Sequence, residues 1–309
     1  MNKSLRERIL RFGPDNGLVG ILTTSRELTK PDLPHVVMIN AGIVHRVGPN
    51  RLYVDLARAM AMEGYPVVRI DLAGLGDSEA MTSTLSLEES ALQDVVAVFD
   101  YLSETRGART FVTAGLCSGA NYSILAAFRE PRVVGALLVD PSVSRTRKSM
   151  VTHVARRLRN LPTLRALITL RHPVYRRTLA GMRSLAVAEA AAGQSSQRAD
   201  FMADTKNAAP AVREAIEQML DRGVQLMMVF TGGVNYVYNY DKQLYDLLPG
   251  LDFRDQLLLL YMPETDHTVS DMSGRAKLIQ SVGTWLNRAF PMKSDDRNDL
   301  SMRVGRDRA

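Results

Sequence analysis

The single cysteine of this 309-residue chain, Cys117, stands at the centre of Gly115-Leu116-Cys117-Ser118-Gly119. Glycines on either side of a nucleophile suit a sharp strand-to-helix turn, because they leave room for the turn and for neighbouring backbone. The context fits, with a β-branched run at 110–113 before the motif and a helix-compatible stretch at 120–130 after it. A serine frame centred on Ser118 would need glycines at 116 and 120, where Leu116 and Ala120 stand. A lone cysteine is also commonly a small buried hydrophobe, so the motif gains meaning only with partners. A thiol attacks carbonyls as its thiolate, and an imidazole within hydrogen-bond reach can accept its proton and later return it to a leaving group. The chain offers five histidines, His35, His45, His153, His172 and His267.

The composition allows a large soluble enzyme. Hydrophobic residues at 46% and charged residues at 23% argue against disorder, a coiled coil or a fibrous repeat. One cysteine excludes an intrachain disulfide and a cysteine-based zinc cluster, so no metal or other cofactor is expected. Residues 1–11 carry charges throughout and lack an apolar signal-peptide core. No apolar run approaches the roughly 18 residues of a membrane span, and the default expectation is a cytoplasmic protein.

The elements that must position these groups alternate. Stretches 8–12 and 18–24 flank a dense turn signal, Gly13-Pro14-Asp15-Asn16-Gly17, and read as a hairpin at a sheet edge. Apolar runs at 36–40 and 133–139 read as strands buried on both faces, and 66–71, 224–230 and 256–262 read as further strands. Helical periodicity is expected at 51–63, 87–105 and 275–290, the second opened by a capping box from Ser86 to Glu89. Strands alternating with helices imply an α/β fold whose central sheet is mostly parallel and covered on both faces.

With the elbow, the Asn40-Ala41-Gly42 loop and Asp266-His267-Thr268 in that order, the chain resembles the α/β-hydrolase superfamily over about residues 8–290. It is most similar to the serine aminopeptidase-like and esterase-like branch, which includes small hydrolases found beside exosortase systems. The resemblance implies a hydrolase core at 1–140 and 224–292, a helical, arginine-rich cap at 141–223, and a tail at 293–309 that reads as disordered. It makes Cys117 the nucleophile and His267, between the last strand and the last helix, its base. The oxyanion would be held by the backbone N–H groups of Ser118 and Ile43. The family's acid after the strand at 224–230 is missing, since Thr231-Gly232-Gly233-Val234-Asn235 stands there. Asp140 at the end of the preceding strand is the favoured substitute, and Asn235, in a Cys-His-Asn arrangement, is the alternative. Asp266 adjoins His267 and points away from it along an extended chain. His45 and Arg46, in the loop after residue 40, are candidates for contacting substrate.

Between residues 141 and 188 lie eleven basic residues and no acidic one, Arg145 and Lys148 among them, whereas the whole chain has a net charge of +6. The positive field is therefore local and suits an anionic partner, such as a coenzyme A-linked or carrier-protein-linked substrate. Interleaved leucines also allow a membrane contact. Nucleic acid is not expected, because the segment has few aromatics and no recognised binding module. The oligomeric state is not legible. The leading expectation is an ester or thioester hydrolase working through an S-acyl-cysteine. The alternatives are an acyltransferase or cyclase that passes the acyl group to an amine or alcohol, and a non-catalytic binding protein on the same fold.

Overall fold

The computed structural model describes residues 4–26, 28, 32–80, 84–159 and 208–291, with backbone alone at 157–159 and 208–211. Eight strands form one sheet: β1 (Leu5–Phe12), β2 (Leu18–Ser25), β3 (His35–Ile39), β4 (Val67–Asp71), β5 (Phe111–Leu116), β6 (Val133–Val139), β7 (Gln225–Thr231) and β8 (Leu257–Met262). Their spatial order is β1-β2-β4-β3-β5-β6-β7-β8. The expected hairpin is the antiparallel pair β1–β2, and β2 pairs antiparallel with β4; from β4 to β8 every pairing is parallel.

Seven α-helices accompany the sheet among the described residues: α1 (Leu52–Met62), α2 (Leu87–Arg106), α3 (Ser118–Arg129), α4 (Arg147–Arg159), α5 (Ala208–Asp221), α6 (Gln243–Leu247) and α7 (Met272–Ala289). The period of two along the buried strands assigns each helix to a face. Val37, Ile39, Val68 and Ile70 join one cluster with residues of α2, α3 and α5, while Val36, Met38 and Val67 join a second with Leu52 of α1 and Trp285 of α7. Side chains alternate across a strand, so a run apolar at every position can only lie between two covering layers. The serine half of the expected capping box forms, with Ser86 Oγ accepting from the Glu89 N–H at 3.2 Å, and Gly107 closes α2 in the left-handed conformation.

The register sets where chemistry can occur. Ile39 lies opposite Gly115, Leu116 opposite Val139, and Val139 opposite Val229. The parallel strands therefore end level, and the residues after them (Asn40, Cys117, Asp140 and Thr231) share one sheet edge. That is where ligands bind in open α/β sheets.

Within the stretch expected as a cap, α5 instead belongs to the covering layer of the sheet. Its Val212, Ile216 and Met219 are buried in the same cluster as Ile124 of α3. Most of the arginine-rich segment, at 160–207, and the tail at 293–309 lie outside the described residues. Among the described residues no helix is long and apolar enough to cross a membrane.

Candidate active site

Strand β5 ends at Leu116 and α3 begins at Ser118, so Cys117 alone makes the turn, at φ 58° and ψ −119°. A non-glycine residue held there costs of order 1–3 kcal/mol and persists only where its surroundings over-determine it. Here they do. The Cys117 N–H donates to the Val139 carbonyl at 2.9 Å. Beneath the turn the buried Tyr53 hydroxyl accepts from the Leu116 N–H at 2.8 Å and donates to the Ile39 carbonyl at 2.9 Å. Gly115 is needed for close approach, since a Cβ on it would stand 2.1 Å from the carbonyl carbon of Gly119.

His267 lies with Nδ1 2.7 Å from Asp140 Oδ2. Asp140 follows β6 directly at φ 48°, and its side chain is fully buried. Its own N–H donates to the Val229 carbonyl at 2.8 Å. Thr231, at the end of β7, donates its N–H to Oδ1 and its hydroxyl to Oδ2, each at 2.6 Å. The residues after Thr231 leave no room for an acid. A Cβ at Gly232 would lie 1.9 Å from the Pro263 carbonyl oxygen, and one at Gly233 would lie 2.2 Å from the backbone nitrogen of His267. The glycine pair lets the β7 loop pack directly on the histidine loop, and the carboxylate comes from the neighbouring strand.

The second face of the imidazole meets the thiol. Hydrogen bonds to Asp140 and then to Cys117 raise His267 to about 10, against burial, which acts in the opposite direction. The hydrogen bond to His267 lowers the Cys117 thiol below its ordinary value, again against burial, with a further contribution from the Ser118 N–H. Both shifts favour the thiolate–imidazolium pair over the neutral pair. Asp266 takes no part in this and accepts from Thr268 N at 2.7 Å and from Ser270.

The loop after β3 corrects one expectation. Its amide facing the elbow is that of Gly42, which donates to Ser118 Oγ at 2.8 Å. Ile43, the next residue, is 90% exposed. Two anchors set the loop. Asn40 accepts from the Leu72 N–H at 2.7 Å and donates to the Val44 carbonyl at 2.9 Å. The buried Asp71 accepts from the Arg46 N–H at 2.6 Å, from Asn40 Nδ2 at 3.2 Å, from the Asp77 N–H at 3.0 Å and from the Arg46 guanidinium.

The Arg46 guanidinium, expected to contact substrate, is paired with Asp71 and Asp77, and Arg46 does not border the cavity beside Cys117. His45 is exposed and does not line the cavity beside Cys117. Asn235 is exposed as well, and the imidazole nitrogen it was to orient is taken by Asp140. That cavity, of about 710 Å³, is bordered by Cys117 and His267, by Val143, Arg145 and Met150 before and on α4, and by Val234, Tyr236 and Val237 after β7. Sequence reasoning missed Thr231, Gly42 and Tyr53. The usable signal was the Thr-Gly-Gly run directly after a strand, where a hydroxyl replaces a carboxylate and no side chain follows.

A mostly parallel eight-stranded sheet with a strained elbow, a histidine after its last strand and helices on both faces defines an α/β-hydrolase. The signature of the family described as serine aminopeptidase, S33, matches residues 35–229, and the chain belongs to that family. Among solved structures it is similar to an esterase from Pyrococcus furiosus, at TM-score 0.55 and 13% identity over 92% of this chain and 91% of that one. It is also similar to an α/β serine hydrolase homologue from Coxiella burnetii, at TM-score 0.51 and 13% identity over 92% and 97%. A third is a serine hydrolase without a lid from Xanthomonas campestris, at TM-score 0.50 and 17% identity over 95% and 98%. At such identities the likeness is one of fold. No curated protein sequence matches.

Proposed function

We propose that this hydrolase cleaves an ester or thioester through an S-acyl-cysteine on Cys117. The observation that carries the reading is that His267 joins Asp140 to Cys117: Asp140 Oδ2 lies 2.7 Å from His267 Nδ1, the thiol is the imidazole's other hydrogen-bond partner, and all three border one cavity. The Cys117 thiolate attacks the acyl carbon, and the carbonyl electrons move to oxygen, where the Ser118 and Gly42 N–H groups can hold the charge. The Gly42 N–H exchanges its bond with Ser118 Oγ for one to this oxyanion. As the tetrahedral adduct collapses, the imidazolium of His267 gives its proton to the departing alcohol or thiol. His267 then takes a proton from water, which attacks the S-acyl group and releases the Cys117 thiolate. The carboxylate of Asp140 at bonding distance from His267 favours an enzyme over a binding protein that has lost its acid.

Incubation with a short acyl thioester followed by peptide mass spectrometry tests this directly. An acyl adduct on Cys117, and loss of both adduct and turnover in Cys117→Ala, are expected. Turnover persisting in Cys117→Ala but lost in Ser118→Ala would overturn the thiol mechanism. An added amine acceptor in the same assay separates hydrolysis from acyl transfer.

A further inference from the structure

The charges around the cavity beside Cys117 are unevenly available. Asp140 borders it, yet its carboxylate is fully buried and spent on Thr231 and His267. Apart from Cys117 and His267, whose opposite charges face each other as a pair, Arg145 is the remaining charged side chain on the wall. It is exposed, and no carboxylate among the described residues forms an ion pair with it. Its guanidinium lies 5.9 Å from the centre of the Tyr236 ring, itself a wall residue. A cation held over an aromatic face keeps its outward N–H donors free for an anion while losing part of its side-chain freedom in advance. Two nearby basic side chains are engaged elsewhere, Lys148 over Tyr240 and near Asp246, and Arg156 donating to the Asn239 carbonyl at 3.1 Å, while Arg147 does not border the cavity. The rest of the wall is largely apolar, through Val143, Met150, Val234 and Val237.

We infer that Arg145 is an anion-recognition residue, and that the substrate is an acyl compound carrying a carboxylate or phosphate group beside an apolar portion. The inference rests on the acyl chemistry proposed above and adds the class of substrate. The anionic group has two possible sources, the far end of the acyl chain or a phosphorylated leaving group, and both present oxygens to the same guanidinium. The apolar wall alone would accept a neutral acyl chain equally well; the ring-held cation, without an ion-pair partner among the described residues, is what distinguishes the two.

The test has a readout that needs no turnover. Iodoacetate and iodoacetamide alkylate the same thiol and differ in charge, so the ratio of their rates at Cys117 reports the cation at the cavity wall. In Arg145→Ala this ratio should fall by about threefold to fivefold, the scale of one exposed ion pair, and Arg145→Lys should restore most of it. An unchanged ratio in Arg145→Ala overturns the proposal. Turnover then locates the anion by comparing succinyl with butanoyl N-acetylcysteamine thioesters, and butanoyl-coenzyme A with butanoyl-N-acetylcysteamine. At least one anionic member should be preferred in kcat/KM, with that preference lost in Arg145→Ala; a preference in neither pair also overturns it. If the alkylation ratio responds to Arg145 while no thioester or ester turns over, the anion site stands and the acyl-transfer reading of Cys117 fails.

Discussion

Thr231 gives both its backbone N–H and its hydroxyl to the carboxylate of Asp140, each at 2.6 Å, from the position where the family resemblance would place the acid itself. The donor and the carboxylate have in effect exchanged strands. A fully buried carboxylate is stable only when it is hydrogen-bonded, and Thr231 and His267 give Asp140 three hydrogen bonds, one on Oδ1 and two on Oδ2. The two bonds from Thr231 fix the plane in which Oδ2 meets the imidazole.

Replacing Thr231 by valine keeps the shape and removes one donor to a buried charge. A hydrogen bond to a charged group is worth about 1.5–3 kcal/mol, so Thr231→Val should lower unfolding stability by about that amount in urea titration. Because the freed oxygen is one that orients His267, kcat/KM should fall by about tenfold as well, the kinetic equivalent of about 1.4 kcal/mol. Thr231→Ser, which retains the hydroxyl, should recover both. A loss of stability in Thr231→Val with kcat/KM unchanged would mean that the hydroxyl satisfies the buried carboxylate without orienting His267.

The raised histidine and lowered cysteine make an asymmetric pH prediction. Alkylation of Cys117 follows the thiolate, so its rate should rise through a midpoint below the ordinary thiol value and then stay level. Turnover needs the imidazolium as well, to protonate the leaving group; it should rise with the thiolate and fall again as pH passes about 10, where His267 loses its proton. In His267→Ala the largest cause of the lowered thiol disappears while burial, which pushes the thiol up, remains. The alkylation midpoint should therefore move upward past that of the native protein. A stopped-flow series with iodoacetamide reads this, and a midpoint that did not move would remove His267 from contact with the thiol.

Much of this site was legible because it depends on chain order and strand length. Cys117, His267 and Asp140 each sit one step beyond, or in the loop after, a strand recognisable by its unbroken apolar run, and level strand ends bring such residues together whatever the intervening sequence. The assignment within the oxyanion loop was less accessible. Whether the amide of Gly42 or of Ile43 faces the elbow depends on how the chain turns after Asn40, and Asp71, thirty-one residues away, sets that turn. The partners of Arg46 were hidden for the same reason: a basic residue beside a catalytic loop resembles a substrate contact, and its two carboxylates, Asp71 and Asp77, stand more than twenty residues away in the chain. The placement of α5 in the covering layer was hidden because an amphipathic helix packs equally well on a cap or on a sheet.

That dependence of the loop on Asp71 can be tested apart from the nucleophile. Asp71 is fully buried and accepts four donors, from Asn40, from the Arg46 backbone and side chain, and from Asp77. Asparagine offers one carbonyl oxygen and turns an amide donor toward groups that are themselves donors. Asp71→Asn also strips the buried partner from Arg46, whose remaining partner Asp77 is exposed, and breaking a buried pair of this kind costs about 3 kcal/mol. The loop carrying Gly42 should loosen while the elbow, held separately by Tyr53 and Val139, keeps its shape. The expected result is a fall in kcat of about tenfold or more, the scale on which one oxyanion donor acts, with the iodoacetamide rate at Cys117 changed by less than about twofold because alkylation forms no oxyanion. Equal losses in both rates would show that Asp71 supports the elbow as a whole, and loss in neither would free the Gly42 amide from any part in stabilising the transition state.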